Sequence, residues 1–221
     1  MTILPNGVAV TGTTHHAQWC ATHGLVHDEF TAGVIRYVVE KYGVKTCVDG
    51  GANIGTLTKV MLDAGCEVIA FEPNPDAFAC LEHNCAGTGL VMVMSALGES
   101  EHTTGLTVSD NAGASFCGGA GDIRVAALDT LDLGRLDFLK LDIEGWEFAA
   151  LNGADKSIRF NRPIMLIEIN RCALARQGHT PEMIAGWLNA RDYTFTIIQP
   201  ECTFESEQFD ILCVPSEKVV D

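Results

Sequence analysis

A glycine-rich turn between an apolar run and a helix-like segment is the feature that most constrains how this chain can fold. The turn covers residues 49–55, with the sequence DGGANIG, and it follows an apolar run at 46–48. Residues 54–64 continue with helical periodicity. A strand, a glycine turn and a helix in this order bring backbone N–H groups and a helix N-terminus towards a polar ligand. The sequence therefore predicts a binding site for a polar group at this turn.

An acidic residue follows the next apolar run of the chain. Glu72 comes directly after residues 68–71, about twenty residues beyond the glycine turn. If the two runs are adjacent parallel strands, this carboxylate lies at the tip of the neighbouring strand, where it can accept hydrogen bonds from both hydroxyls of a ribose. The turn and Glu72 together predict a pocket for a cofactor that contains adenosine.

Two residues of the turn indicate which adenosine cofactor the pocket would hold. A dinucleotide-binding turn needs glycine where the backbone approaches the pyrophosphate, and this chain has Ala52 there. Asp49 at the strand tip would also repel a diphosphate. S-adenosylmethionine carries an ammonium, a sulfonium and a ribose but no phosphate, so the turn favours S-adenosylmethionine over NAD. An NAD-dependent oxidoreductase stays open as the alternative, because it would use Glu72 in the same way.

The composition restricts the size, the partners and the compartment of the protein. A chain of 221 residues is long enough for one sizeable α/β domain and too short for two full ones. Its net charge of −15 argues against a nucleic-acid surface, which needs clustered lysine and arginine. The nine cysteines are scattered and contain no C-x-x-C pair, which indicates a reducing, cytoplasmic compartment. No apolar stretch predicts a membrane span or a signal peptide.

Apolar runs alternate with helix-period segments along the chain, which indicates a parallel sheet covered by helices. Helices at 14–23 and 28–42 form a predicted N-terminal cap within residues 1–44, and the cofactor-binding domain would span residues 45–221. The predicted strands of that domain are 45–49, 67–72, 90–96, 136–142, 163–169, 193–199 and 209–214, and its predicted helices are 54–64, 75–86, 146–152 and 181–190. The last two strands would form an antiparallel hairpin. Residues 98–121 break the rhythm and are interpreted as a loop or a hairpin excursion.

Three motifs make the chain resemble the FkbM family of methyltransferases, which has the class I S-adenosylmethionine-dependent methyltransferase fold. They are the glycine turn with its preceding valine at 48–55, the FEPNP segment at 71–75 and the LDFLKLDIEGWE segment at 136–147. The third motif is the most specific of them, because the glycine turn occurs across all class I methyltransferases. The resemblance implies an α/β, Rossmann-like fold, in which a mostly parallel seven-stranded sheet ends in an antiparallel hairpin and carries helices on both faces.

The resemblance also implies which residues contact the cofactor. They would be Asp49, Gly51, Asn53, Gly55, Glu72, Ser95 and Ala96. Asp49 and the turn would hold the methionine end, and Glu72 would bind the ribose. Ser95 and Ala96, at the end of the third strand, would border the adenine. Many class I enzymes have an aspartate at that strand end, so the serine leaves the adenine contact open between the backbone and the 110–117 loop.

Acidic residues that follow two later strands are the candidates for catalytic residues. Methyl transfer to a hydroxyl requires that the nucleophile be aligned and that its proton be removed. Asp142 and Glu144 follow the predicted strand 136–142, and Glu168 and Asn170 end the next strand. Ligands of open α/β sheets bind beyond such strand ends. We assign Asp142 and Glu144 as catalytic, acting as base or as ligands for Mg²⁺; the lack of paired histidines disfavours the metal, and no metal ligand is assigned.

Other polar and aromatic residues receive weaker assignments. His27 and His102 are further candidates for the base, because histidine titrates near neutral pH. Trp146 could stack on a ring of the substrate but is interpreted as a core anchor of the following helix. Lys140 is expected to pair with a buried acid, and Glu147 is expected at the start of a helix.

The leading hypothesis is an S-adenosylmethionine-dependent O-methyltransferase. By resemblance its methyl acceptor would be a hydroxyl on a sugar, a glycan or another small metabolite, with neither nucleic acid nor membrane as a partner. The alternatives are the oxidoreductase and a non-catalytic, methyltransferase-like scaffold. The acids at positions 49, 72 and 142 argue against the scaffold.

Overall fold

A computed structural model gives the fold, and it describes residues 1–11, 20–22, 24–25, 28–108 and 115–219. The strands are β1 (Thr2–Ile3), β2 (Ala9–Val10), β3 (Thr46–Gly50), β4 (Glu67–Phe71), β5 (Leu90–Val93), β6 (Ala96–Leu97), β7 (His102–Thr104), β8 (Leu106–Thr107), β9 (Phe116–Cys117), β10 (Ile123–Ala126), β11 (Phe138–Leu141), β12 (Ile164–Asn170), β13 (Tyr193–Ile197) and β14 (Gln208–Pro215). The helices are α1 (Glu29–Tyr42), α2 (Thr56–Asp63), α3 (Pro75–Asn84), α4 (Glu147–Asn152), α5 (Asp155–Asn161), α6 (Arg171–Arg176) and α7 (Pro181–Asn189), with 3₁₀ turns at Leu128–Thr130 and Ser216–Lys218. Most of the predicted helix at 14–23, and His27, lie outside the described residues.

The main sheet has seven strands in the order β13-β14-β12-β11-β3-β4-β5. Strands β3, β4 and β5 pair in parallel, as do β11 and β12, whereas β14 runs antiparallel to both β12 and β13. The predicted α/β fold, with a mostly parallel seven-stranded sheet and a C-terminal antiparallel hairpin, is therefore confirmed. The chain divides into two compact units, one made of residues 1–96 and 103–124 and the other of residues 97–102 and 125–221.

In the first unit, the ends of the helices follow from their capping residues. Asp28 caps α1, because its carboxylate accepts a hydrogen bond from the backbone N–H of Thr31 at 3.1 Å. Gly43 ends the same helix in the left-handed region, with φ of 63°. Asn74 caps α3 by accepting from the N–H of Asp76, and Pro75 occupies the first turn, where proline is favoured. Each of these helix ends follows from the local preference of the residue that forms it.

The first ten residues form a small antiparallel ribbon that is fastened to the first unit. Thr2 pairs with Val10 and Ile3 with Ala9. The side chain of Asn84 accepts from the N–H of Ala9 and donates to its carbonyl, each at 2.8 Å. Ala9 of β2 therefore has a strand partner on one side and the Asn84 side chain of α3 on the other, so its backbone polar groups are paired.

The strand predicted at 90–96 is shorter than expected. Strand β5 ends at Val93, and Ala96–Leu97 belongs instead to a separate three-stranded sheet with His102–Thr104 and Ile123–Ala126. The excursion predicted at 98–121 contains the hairpin of β8 and β9, in which Leu106 pairs with Cys117. A Cβ on Gly105 would lie 2.6 Å from the carbonyl oxygen of Gly118, so glycine is needed for the two backbones to approach.

The second unit alternates strands and helices and ends in the predicted hairpin. Its strand β11 is shorter than the predicted 136–142, and two helices, α4 and α5, follow it where one was predicted. The hairpin register pairs Ile197 with Ile211 and Tyr193 with Pro215. The residues of β14 alternate between buried and less buried positions, as expected of a strand with one face on the core.

The cysteine side chains contribute to the packing of the fold. All nine cysteines are free thiols, and seven of them are buried. In the described part of the chain, no helix is long and apolar enough to cross a membrane. Free, buried cysteine behaves as a small apolar side chain, so these residues contribute to packing.

Gly55 is a position where we expect an added methyl group to destabilise the protein. Its φ is 95°, and a Cβ there would lie 2.5 Å from Sγ of Cys85 and 3.0 Å from Cδ1 of Leu81. Gly55→Ala should lower the free energy of unfolding by about 1–3 kcal/mol, measured by urea denaturation followed by circular dichroism.

The matched control is Gly33→Ala within α1, where no atom lies within 4 Å of the new Cβ. This variant should gain about 0.5–1 kcal/mol from helix propensity. Equal effects of the two substitutions would contradict the packing argument for Gly55.

Candidate functional site

The candidate cofactor site of the first unit is built around Glu72. Its Oε2 accepts a hydrogen bond from the backbone N–H of Asn53 at 2.8 Å, and its Oε1 accepts from the N–H of Asn74, also at 2.8 Å. The side chain is 7% exposed. Glu72 thus joins the glycine turn to the start of α3, and each of its carboxylate oxygens is a group that can accept more than one hydrogen bond.

The backbone N–H groups of the glycine turn donate to groups of the protein, whereas the sequence predicted that they face a ligand. Those of Gly51 and Ala52 both donate to the carbonyl oxygen of Phe71 at 3.0 Å, and that of Gly55 donates to Ala52 at 2.9 Å. With the N–H of Asn53 bound to Glu72, four N–H groups expected to face a ligand are used inside the protein. The turn therefore does not offer them to an anion.

Hydrogen-bond acceptors remain available at this turn. Oδ1 of Asn53 is buried and has no hydrogen-bond partner among the described residues. Asn53 has a φ of 51°, in the left-handed region that asparagine tolerates better than most residues. Together with the carboxylate of Glu72, this oxygen gives the turn acceptors that suit a ligand that donates hydrogen bonds.

Asp49 lies beneath the turn. It is fully buried, and its Oδ2 accepts a hydrogen bond from the hydroxyl of Thr58 at 2.6 Å, which ties the end of β3 to α2. Charge-assisted hydrogen bonds of this length are strong, so Asp49 has a structural part in holding the helix. Its predicted contact with a cofactor stays a prediction.

Ser95 and Ala96, predicted at the adenine, are both buried. Ser95 is fully buried, and its hydroxyl donates to the carbonyl oxygen of Ala96 at 2.9 Å.

Cys117 of β9 was not singled out from the sequence. Burial raises the pKa of its thiol to about 11, and the nearby negative charge of Glu72 adds to this effect. The only sequence signal for this residue was its place in the predicted excursion.

In the second unit, Asp142 and Glu144 follow β11 as predicted. The side chain of Asp142 is 41% exposed, and its Oδ2 lies 3.6 Å from Nζ of the buried Lys140, so this partner of the lysine is an acid but not the buried one that was predicted. Burial raises the pKa of Glu144 to about 7; the charge of Asp142 adds to this effect, and Arg176, 3.9 Å away, opposes it. A carboxylate with a pKa near neutrality is suited to taking and returning a proton.

Glu147 and Gly145 shape the loop that carries these acids. Oε1 of Glu147 accepts from the N–H groups of Ile143 at 2.9 Å and Gly145 at 3.2 Å, so it is a helix-start residue as predicted. Glu147 is 1% exposed, and burial raises its pKa to about 7. Gly145 has a φ of 103°, and any Cβ there would overlap the carbonyl of Ala173.

Three carboxylates line up across adjacent strands of the second unit. The β12–β14 register places Glu168 opposite Asp210. The β11–β12 register pairs Leu141 with Ile167, so the next step brings Asp142 beside Glu168. Side chains at such positions share one face of a sheet. We call Asp142, Glu168 and Asp210 the carboxylate row.

Glu168 is the central member of the carboxylate row. Burial is the main cause that raises its pKa to about 10, and the charges of Asp142 and Asp210 add to it. Its Oε1 accepts from Nε2 of Gln208 at 2.7 Å. Asn170, the other polar residue predicted at this strand end, instead caps α6 by accepting from the N–H of Ala173.

No metal centre is found at these acids. In the parts of the chain that the structure covers, no group of three or more histidine, cysteine, aspartate or glutamate side chains is arranged to hold a metal ion. The alternative in which Asp142 and Glu144 bind Mg²⁺ therefore has no support in the geometry.

Trp146 packs against its neighbours but is half-buried, so it is not the core anchor that was predicted. Its ring stacks on His102, with centroids 5.8 Å apart and planes at 22°. A Cβ on Gly98 would lie 3.1 Å from the indole, so the glycine makes room for it. Nδ1 of His102 lies 2.8 Å from the carbonyl oxygen of Ser100. Because a carbonyl can only accept, this contact places the proton on Nδ1.

Comparison with known proteins identifies the family. The sequence profile of the FkbM methyltransferase domain matches residues 49–195. No functionally curated protein sequence matches the chain.

Solved structures share the fold. A methyltransferase FkbM from Methylobacillus flagellatus KT has 20% identity and a TM-score of 0.52, with 76% of this chain and 43% of that protein covered. Magnesium protoporphyrin IX methyltransferase (ChlM) from Synechocystis PCC 6803, solved with bound SAM, has 12% identity and a TM-score of 0.53, with 95% and 88% covered. An rRNA methylase from Streptococcus thermophilus has 12% identity and a TM-score of 0.51, with 82% and 94% covered. This chain thus spans less than half of the Methylobacillus protein.

The stability of the protein should fall as the pH rises through neutrality. Glu168 has a folded pKa raised from 4.5 to about 10, so the folded protein keeps a proton that the unfolded chain has lost. The resulting stabilisation is full below pH 4.5 and is lost towards pH 10, with a limiting slope of about 1.4 kcal/mol per pH unit for one proton. Glu144 and Glu147 also make the free energy of unfolding fall as the pH rises from 4.5 to about 7.

Urea denaturation at a series of pH values measures this effect. Glu168→Gln, which has the shape of the protonated acid, should flatten the dependence above pH 7. The control Glu201→Gln, at an exposed loop position, should retain the slope of the unmodified protein. If Glu168→Gln retains that slope as well, Glu168 is not the group that holds the proton.

Proposed function

The chain belongs to the FkbM family of methyltransferases, and from this premise we propose that it transfers the methyl group of S-adenosylmethionine to a hydroxyl of a sugar, a glycan or another small metabolite. The observation that carries the proposal is the polarity of the glycine turn. Its N–H groups at residues 51, 52, 53 and 55 are bound inside the protein, and Glu72 and Asn53 present hydrogen-bond acceptors. A site of this kind suits a cation with hydroxyl and ammonium donors.

The residues present fit S-adenosylmethionine on this ground. Its ribose has two hydroxyl donors, for which a carboxylate such as that of Glu72 is a suitable acceptor. Its ammonium is a donor that suits the buried Oδ1 of Asn53, which has no partner among the described residues. Ser95 and Ala96 would border the adenine, and Asp49 contributes its negative charge from below the turn. When bound, the cofactor supplies an activated methyl group on a sulfonium.

The same polarity disfavours a dinucleotide. A pyrophosphate needs backbone N–H donors at the turn, and the groups of Gly51 and Ala52 already bind Phe71. The acidic residues Asp49 and Glu72 would in addition repel it. This reasoning, together with the family, favours the methyl donor over the nicotinamide cofactor of the alternative oxidoreductase.

Acidic residues of the chain remove the proton of the acceptor hydroxyl in this proposal. Glu144 has a pKa of about 7, so it can accept the proton of a hydroxyl near neutral pH and release it again. Asp142, more exposed than Glu144, can orient the hydroxyl by accepting its hydrogen bond. In this proposal Glu144 is the base and Asp142 aligns the methyl acceptor.

Calorimetric titration with S-adenosylhomocysteine tests the cofactor assignment. Glu72→Gln should weaken binding about ten- to a hundredfold, because it replaces a charged acceptor that would hold two hydroxyls. The new amide also faces the N–H of Asn53 or Asn74, so unfolding should be followed on the same sample.

Glu67→Gln is the matched control, since Glu67 is an exposed residue at the other end of the same strand. This variant should bind as the unmodified protein does. No heat with S-adenosylhomocysteine, combined with binding of NADH, would favour the oxidoreductase. No binding of either by folded protein would favour the scaffold.

A further inference from the structure

The loop after β11 carries its proposed base on a strained backbone. Glu144 has a φ of 54°, in the left-handed region that glycine adopts readily and other residues do not. Gly145 follows with a φ of 103°. A residue other than glycine keeps such a conformation only where the surrounding structure holds it, and these positions cluster at functional sites. The place of the Glu144 side chain therefore depends on the contacts that hold the loop.

Two contacts hold the backbone next to Glu144. Oε1 of the buried Glu147 accepts hydrogen bonds from the N–H groups on both sides of it, those of Ile143 at 2.9 Å and Gly145 at 3.2 Å. Gly145 also lies directly against α6, because a Cβ there would be 2.2 Å from the carbonyl oxygen of Ala173. The two backbones leave no space between them at this point, so the distance from the loop to α6 is fixed.

The face of α6 that receives Gly145 also presents Arg176. Ala173 and Arg176 are three residues apart on the helix, and residues at this spacing lie on one face. Nη2 of Arg176 lies 3.9 Å from Oε2 of Glu144. The side chain of Glu144 is 17% exposed, and that of Arg176 is 43% exposed. The start of α6 is fixed in turn by Asn170, which caps it through the N–H of Ala173.

We propose that Arg176 is a positioning residue for the base, which draws the Glu144 carboxylate towards α6 and stabilises its ionised form. The role rests on the proposed function, in which Glu144 takes the proton of the acceptor hydroxyl. The separation of 3.9 Å is longer than a charge-assisted hydrogen bond of about 2.7–2.9 Å, so the two groups attract each other without direct bonding.

The intermediate distance suits a group that must both take up and release a proton. A carboxylate in direct contact with an arginine has a strongly lowered pKa, which makes it a poor base at neutral pH. A buried carboxylate with no cation near it would instead stay protonated. Arg176 lies between these limits, because the contact of Gly145 with Ala173 sets how closely α6 approaches the loop.

The charges around Glu144 act in opposite directions. Burial raises its pKa to about 7, Asp142 on the same loop adds to this effect, and Arg176 on α6 opposes it. Further titratable groups lie on the neighbouring elements, namely Glu147 on α4, Glu168 on β12 and His179 directly after α6. Among the charges that shift the pKa of Glu144, that of Arg176 is the one that favours the carboxylate.

NMR titration of the glutamate side-chain carboxyls, labelled with carbon-13, measures this role and requires no substrate. The signal of Glu144 is the one that is absent from Glu144→Gln, and it should titrate near pH 7 in the unmodified protein. Arg176→Gln should raise the proton affinity of Glu144 about fivefold or more. This change corresponds to the attraction of about 1 kcal/mol between two unit charges 4 Å apart in bulk water.

Two further variants separate the charge of Arg176 from other effects of its replacement. Arg176→Lys keeps the positive charge and should restore most of the original titration of Glu144. Arg135→Gln is the matched control, because it removes a cation that precedes β11 and pairs with Asp137, whereas Glu144 follows that strand. This control should leave the titration of Glu144 unchanged. Urea denaturation of each variant confirms that it is folded.

The failures of the two proposals are distinguishable. If Arg176→Gln leaves the titration of Glu144 unchanged, or if Arg176→Lys shifts it equally far, the positioning role is wrong and Glu144 stands as the base. If Glu144 titrates near pH 4.5 in the unmodified protein, it is not the base, and the positioning role fails with it.

Calorimetry with S-adenosylhomocysteine on the same samples completes the test. The unmodified protein and Arg176→Gln should bind it equally well. A loss of binding in Arg176→Gln alone would place the effect of the arginine at the cofactor site and overturn the positioning role. Absence of binding in the unmodified protein, with the titration of Glu144 as expected, would overturn the proposed function instead.

Discussion

The carboxylate of Glu72 is the group on which the geometry of the candidate cofactor site depends. It binds the N–H of Asn53 on one side and the N–H of Asn74 on the other, and so links the glycine turn to the helix that follows the next strand. Two hydrogen bonds to one buried charge are worth several kcal/mol together, which is enough to hold Asn53 at its positive φ. The position of Oδ1 of Asn53, and hence the polarity of the turn, follows from this one residue.

The acids of the second unit differ from Glu72 in that they lie close to one another, which is unfavourable for like charges. The strand registers bring Asp142, Glu168 and Asp210 together, and burial makes their ionisation costly. Proteins keep such arrangements where the shifted proton affinity is used, and the pKa of Glu144 near 7 is of that kind. The proton-accepting group that we propose would draw on this concentration of negative charge.

Most of the regular structure could be predicted because its signals are local. Asp28 and Pro75 mark helix starts by their own chemistry, and apolar runs mark the parallel strands. The strand predicted at 90–96 was too long because Ala96 and Leu97, although apolar, pair within a different sheet. Nothing in an apolar run states which sheet it will join. The hairpin of β8 and β9 was predicted only as an alternative to a loop, since its pairing depends on glycines that let two backbones meet.

The sequence by itself determined the fold class, the family, the place of the glycine turn and the identity of the nearby acids, because these depend on residue type and spacing along the chain. The tertiary structure alone decided what those residues do. It turned the N–H groups of Gly51 and Ala52 towards Phe71, buried Asp49 beneath Thr58 and brought Cys117 near Glu72. It also aligned Glu168 with Asp210. Hydrogen-bond direction, burial and strand register join residues far apart in the chain, and no local pattern encodes them.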